Sequence, residues 1–412
     1  MKVLHVNTFD NAGGAARAMH RLMKALQSEG VDAKMLVARQ ELDDPTVLGP
    51  KGTISKGIAV ARNMVDQMPL RKYRKRDGYF SPAWLPDKVA QSIEAEAPDV
   101  VHLGWLAAGF MRIESMARIQ RPTVYSLHDM WAFTGGCHVT GECERFMSGC
   151  GDCPILKSGR SKDLSSRVFN RKMAAWRDWK PIVAAPSRWI AETARKSPLF
   201  AERDIRIIPW CLNLETFKPV SKPQARELLG LPMDRKVVLF GAMSATSDPN
   251  KGYDLLLEAL GRMQSKDVTL AVFGASHDPN AHRLPFPTQF LGRLHDDVSL
   301  RLAYSAADVM AVPSRQESFG QSASEAMSCG TPVVAFGATG LLDVVGHQTS
   351  GYLAQPYDPA DFAKGLDWVL ASDAMLSENA RREAEERFAP ANTTALYRKA
   401  FEDAIATYRS GT

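Results

Sequence analysis

The sequence predicts an α/β protein with two open parallel sheets, each covered by helices. Apolar strand-like runs alternate with helix-spaced segments along most of the chain. The alternation breaks once, in a stretch with three prolines at 209–223, and then begins again. The 412 residues suffice for two or three domains at roughly 100–200 residues each. Alternation of this kind argues for parallel sheets buried on both faces.

In the first half, KVLHVNT at 2–8 reads as a buried strand. A polar turn with Gly13 and Gly14 follows, and then a helix over 15–28 with Ala18, Leu22 and Leu26 on one face. Further strands are expected at 31–38, 100–103, 123–127, 182–185 and 205–208. The second half repeats the pattern, with strands at 236–240, 268–274, 309–312, 332–335 and 352–354. Its helices are expected at 253–263, 298–306, 322–329 and 359–370, and a last helix at 393–408. The expected division is 1–208, a linker at 209–223, 224–387, and a helical segment at 388–412 that crosses to the first domain. No short repeat suggests a solenoid.

Apolar residues are 45% and charged residues 24%, enough for large cores and unlike a disordered chain. The net charge of +5 suits phosphorylated ligands or an anionic membrane surface and does not by itself indicate nucleic acid. The apolar start of the sequence stops at Asn7, so no secretory segment is expected. A cytoplasmic protein is expected, with peripheral contact at the inner face of the membrane as an option.

Ligands of open parallel sheets gather at the carboxyl ends of the strands, so the loops there carry the candidates. Gly13 and Gly14 permit close backbone approach at a helix start; a plain tight turn is the alternative. Neither G-x-G-x-x-G nor a GK[ST] phosphate loop is present. Lys251, in Asn250-Lys251-Gly252, could direct its ammonium at a diphosphate. Glu317 and Glu325 are separated by seven residues in ESFGQSASE. One could meet a sugar and the other a ribose, while the amides of 319–322 form a helix-start oxygen site. His128 follows the strand at 123–127 and could bond a sugar hydroxyl. For each, an ordinary structural or surface role is the competing reading.

Cys137, Cys143, Cys150 and Cys153 lie within 17 residues, inside an expected insertion at 130–160. Four thiolates could wrap a structural zinc that replaces a missing core; disulfides or free thiols remain open. A catalytic zinc is disfavoured because four cysteines would close its coordination shell. Two regions are basic: Arg71-Lys72-Tyr73-Arg74-Lys75-Arg76, and 157–180 with eight basic residues. In the second, Leu164, Val168, Ala175, Trp176 and Trp179 could form one helical side. Both regions could lie against anionic lipid, or the tryptophans could enter the core. No specific nucleic-acid reader is visible.

Four segments resemble glycosyltransferase family 4, and more narrowly the bacterial colanic-acid and exopolysaccharide transferases. They are NTFDNAGGAARA at 7–18, the cysteine-rich block at 126–154, DPNKG at 248–252 and ESFGQSASEAMSCGTPVVAF at 317–336. The resemblance implies a GT-B fold, two Rossmann-like domains facing a cleft. It also implies retaining transfer of a sugar from a UDP- or GDP-sugar without a catalytic metal. The acceptor would be a saccharide or polyprenyl-linked saccharide in exopolysaccharide or O-antigen synthesis.

Carried onto this chain, the resemblance gives His128, Lys251 and Glu317 catalytic roles. Gly13 and Gly14 would approach the donor phosphates or the acceptor. Phe319, Gly320, Gln321 and Ser322 would hold sugar and phosphate, and Glu325 the ribose. Arg293 and Leu294 would border the base. The pattern departs at 241–250, where many relatives carry an arginine and this chain has none; Ser244 is among the substitutes. Glu317 is expected to position the sugar rather than to attack it. Competing readings are a sugar-nucleotide epimerase, a phosphorylase and a noncatalytic sugar- or lipid-surface binding protein.

Overall fold

A computed structural model of the chain describes residues 1–411 except 51, 242–244, 276–283 and 295. Two compact units are present: Met1–Cys211 with Thr393–Thr412, and Leu212–Asn392.

The first unit holds seven strands: β1 Lys2–Phe9, β2 Asp32–Arg39, β3 Val47–Leu48, β4 Val100–Leu103, β5 Thr123–Ser126, β6 Ile182–Ala185 and β7 Ile205–Ile207. Their order is β3-β2-β1-β4-β5-β6-β7, and every pairing is parallel. Successive residues of a strand face opposite ways. Val3 and Val100 therefore enter one core, while Leu4, Val6, Val101 and Leu103 enter the other.

The first of these cores also contains Tyr397, Ala400 and Phe401 from the closing helix Pro390–Gly411. A buried polar chain runs through it. His5 Nδ1 lies 2.9 Å from His102 Nδ1, His102 Nε2 lies 2.7 Å from Ser126 Oγ, and Ser126 Oγ lies 2.9 Å from Tyr397 OH. Desolvation holds His5 down at about 3 and His102 well below its ordinary value, so both imidazoles are neutral at pH 7.

The second unit holds β8 Lys236–Gly241, β9 Val268–Phe273, β10 Thr288–Gly292, β11 Val309–Val312, β12 Val333–Phe336 and β13 Gly351–Ala354. The order is β10-β9-β8-β11-β12-β13, again parallel throughout. Asp308 ties its entry helix Lys222–Leu229 to the sheet. Its carboxylate accepts from Arg226 Nη2 at 2.6 Å, Lys222 Nζ at 2.8 Å and Val237 N–H at 2.7 Å. Burial alone would raise the Asp308 pKa, but these partners hold it below its ordinary value.

The structure differs from the sequence expectation in several elements, β10 and the helix Thr53–Asp66 being additions to it. The stretch expected as a linker at 209–223 already contains the start of the helix Lys222–Leu229. The two-residue β3 is too short to carry a periodic signal. The expected apolar side at 157–180 does not face outward. The helix there is Leu164–Ala175, and Trp176, 2% exposed, lies beyond its end in the core with its indole N–H on Ile113 O at 2.9 Å. Val168 and Trp176 are core, with Leu164, Ala175 and Trp179 packed against it, so this apolar side is not a lipid-facing stripe.

Candidate active site

In the second unit, the loop after β8 and the loop after β11 are joined at several points. Arg315 N–H donates to Asn250 O at 2.8 Å, and Asn250 Nδ2 donates to Gln316 O at 2.8 Å. Gly252 sits at φ +66, and a Cβ there would lie 1.9 Å from Pro313 O. Only glycine allows this approach, and it brings Lys251 beside Glu317. Lys251 Nζ donates to Glu317 Oε1 at 2.7 Å. Burial opposes the ammonium charge, but the Glu317 carboxylate outweighs it and leaves the Lys251 pKa raised.

Glu317 is held from its backbone as well. Its N–H donates to Thr339 Oγ1 at 3.1 Å, and its carbonyl accepts from Gly340 N–H at 2.8 Å. Gly320 follows at φ +99 and begins the helix Gln321–Ser328, which has no side-chain cap. A helix start of this kind presents N–H groups to oxygen ligands. Gln321 and Ser322 are half-buried in its first turn. Phe319 is different: its ring is 1% exposed and packs on Phe388 at 5.3 Å, so only its backbone is suited to a ligand.

Glu325 is 4% exposed and accepts from Tyr304 OH at 2.8 Å. Tyr304 gave no signal in the sequence, because it lies on the separate helix Asp297–Ala306. Arg293 is exposed and Leu294 half-buried, directly after β10 at its carboxyl end. Ser244 lies outside the described residues.

In the first unit, Gly13 caps the helix Gly14–Ser28 at φ +87 without a side-chain cap. His128 follows β5. Both its ring nitrogens are shielded from solvent and lack a hydrogen-bond partner. Its ring lies 5.3 Å from that of Trp210. Desolvation lowers its pKa to about 4, with the neighbouring Asp129 carboxylate opposing the fall. A neutral imidazole with open polar atoms is a group awaiting a partner.

Asp129 was legible only as the neighbour of His128. Its Oδ2 lies 2.6 Å from His138 Nδ1 and accepts from Trp105 Nε1–H at 2.8 Å, and its Oδ1 accepts from Trp131 N–H at 2.8 Å. His138 Nε2 in turn lies 2.8 Å from Ser81 Oγ. Burial raises the Asp129 pKa, but these partners outweigh it and keep the carboxylate ionised. Ser81 is fully buried, so this Ser–His–Asp chain braces the His128 loop rather than presenting a nucleophile.

Cys137, Cys143, Cys150 and Cys153 line one small cavity, and all four are free thiols. Cys137 and Cys153 belong to the hydrophobic core, and Cys150 Sγ accepts from Gly135 N–H at 3.2 Å. Burial raises the Cys137 thiol pKa and pushes Cys150 up to about 12. Among the described residues, no group of three or more His, Cys, Asp or Glu side chains is disposed to hold a metal ion. The four thiols share one cavity, and the structural zinc expected from their spacing stays a proposal.

Two family models match the chain. One described as Glycosyltransferase Family 4 matches residues 12–216, and one described as Glycosyl transferases group 1 matches residues 221–387. The D-inositol 3-phosphate glycosyltransferase of Mycolicibacterium smegmatis is 32% identical over 423 residues, covering 97% of this chain and 88% of the relative. The enzyme of that name from Geodermatophilus obscurus is 36% identical over 230 residues, covering 49% of this chain and 50% of the relative. Among solved structures, Anabaena HepE in complex with UDP and glucose superposes with a TM-score of 0.68 at 19% identity. It covers 98% of this chain and 100% of its own. That likeness establishes the two-Rossmann-domain GT-B fold. The narrower colanic-acid and exopolysaccharide resemblance finds no counterpart among these relatives, which carry an inositol-phosphate name. The chain belongs to glycosyltransferase family 4 and is a nucleotide-sugar-dependent transferase.

Proposed function

We propose that the protein transfers a hexosyl group, with retention at the anomeric carbon, from a UDP- or GDP-sugar to a saccharide or lipid-linked saccharide. The observation that carries this reading is the Lys251–Glu317 pair beside the start of the helix Gln321–Ser328. As the donor's anomeric C–O bond breaks, negative charge gathers on the departing diphosphate. Lys251 and the helix-start N–H groups stabilise that charge. The acceptor oxygen bonds to the anomeric carbon on the face the diphosphate leaves, and a phosphate oxygen takes the acceptor proton. Glu317 orients the sugar and holds Lys251. Glu325, fixed by Tyr304, accepts from ribose hydroxyls, and Arg293 and Leu294 border the base. In the first unit, His128 offers its neutral imidazole to a sugar hydroxyl. The UDP bound to HepE supports a uridine donor.

A second acceptor reading is favoured by the relatives' names: the acceptor hydroxyl would belong to an inositol phosphate. Calorimetric titration with UDP-, GDP- and ADP-sugars tests the donor. Nuclear magnetic resonance of products formed with D-inositol 3-phosphate or a polyprenyl-linked saccharide tests the acceptor and the retained configuration. Failure of the folded protein to bind any of these donors would overturn the reading.

A further inference from the structure

The helix Thr53–Asp66 is amphipathic in the wrong sense for a soluble surface. Two of its polar residues, Arg62 and Asp66, face the body of the first unit, while Lys56 and Asn63 are exposed. Arg62 Nε donates to Gly109 O at 2.9 Å and Arg62 Nη2 to Pro86 O at 2.7 Å. Asp66 is fully buried and its Oδ1 accepts from Trp84 N–H at 3.3 Å. A Cβ on Gly109 would lie 2.7 Å from Arg62 O, so the helix is seated closely at this end. Most of its apolar residues face solvent instead, Ala59 being half-buried. Ile54 is 82% exposed, Met64 72%, Ile58 57% and Val60 50%. At 3.6 residues per turn these four, with Gly57, Ala61 and Val65, span an arc of roughly 160° that holds no charged side chain.

A continuous exposed apolar face of this kind marks an interaction surface. The next segment indicates its partner. Arg71, Lys72, Arg74, Lys75 and Arg76 are all exposed, five cations within six residues of the helix's continuation. Tyr73 between them is half-buried, and its OH accepts from Leu164 N–H at 3.1 Å, which fixes the run to the body of the unit. An apolar helical face joined to a basic cluster complements a bilayer surface: side chains enter the acyl boundary while the cations meet anionic headgroups. No helix among the described residues is long and apolar enough to cross a membrane, so the contact is with one leaflet.

We infer that residues 53–76 dock the protein on an anionic lipid surface, with Ile54, Ile58 and Met64 inserted and Arg71–Arg76 on the headgroups. This goes beyond the proposed reaction and does not depend on the donor assignment. It is tested by co-sedimentation of the full chain with vesicles of phosphatidylglycerol in phosphatidylcholine, and with vesicles of phosphatidylcholine alone. The wild type is retained by the anionic vesicles, less so at high salt. The double variant Ile58→Glu/Met64→Glu loses at least about tenfold in retention, and glutamine at the five basic positions does the same. Both variants change solvent-exposed side chains and leave nucleotide binding as in the wild type. Unchanged retention by the Ile58→Glu/Met64→Glu variant, or equal retention by neutral vesicles, would overturn the inference. So would a wild-type dimer in sedimentation velocity that this variant dissolves, because the face would then be covered by a second copy.

Discussion

Lys251 Nζ and Glu317 Oε1 are 2.7 Å apart although 66 residues separate them in the chain. The contact depends on Gly252, whose missing side chain lets one loop lie on the backbone of Pro313. A cation beside a carboxylate at a strand end is a preorganised group for a departing anion.

Lys251→Ala is expected to lower kcat by about 100-fold or more, the scale of losing one preorganised charge stabiliser. Lys251→Arg restores little, because a planar guanidinium does not reproduce a compact ammonium. Steady-state kinetics with a saturating donor measure this. A loss of only a few-fold would remove Lys251 from the leaving-group role.

Gly252→Ala should destabilise the second unit by about 1–3 kcal/mol, the range of a side chain forced into a strained conformation. Gly261 supplies the control. It lies within the helix Tyr253–Arg262, and a Cβ there meets nothing within 4 Å. Gly261→Ala should therefore raise stability by about 0.5–1 kcal/mol. Thermal melts of both variants separate the effects, and equal shifts would contradict the close approach at Gly252.

Acid stability should reflect the buried imidazoles. His5 has a folded value of about 3 against 6.5 unfolded. Between these values the unfolded chain binds more protons, so stability falls as pH drops from 6.5 toward 3 and is unaffected above. The slope is at most about 1.4 kcal/mol per pH unit for each such histidine. Urea melts across this range should show the fall, and His102→Asn should change its size. A flat profile from pH 7 to 4 would contradict neutral burial of these rings.

Glu325→Ala is expected to weaken nucleotide binding about tenfold or more, the scale of a lost charged hydrogen bond. Tyr304→Phe should give a smaller loss, because it frees the carboxylate without removing it. Calorimetry checks both. If Tyr304→Phe is the more damaging, Glu325 serves packing rather than ribose.

Strand positions at 2–8, 100–103, 236–240 and 309–312 are local properties, because a strand buried on both faces must be apolar throughout. The loops with Gly13, His128, Lys251 and Glu317 were legible for the same reason: they stand where such strands end. The helix Thr53–Asp66 was not legible, since its apolar periodicity alone cannot say which face the body of the protein covers. Only the tertiary structure shows Arg62 and Asp66 turned inward and Ile54 outward. The cysteine spacing was legible in one respect: residues close in sequence came to line one cavity. Thus the sequence by itself determined the two parallel sheets and the strand-end loops proposed to carry the chemistry. Tertiary packing decided that Lys251 meets Glu317, that Tyr304 fixes Glu325 and that Phe319 and Trp176 are core. Those contacts join segments distant in the chain, and their energies depend on burial and geometry that no local pattern encodes.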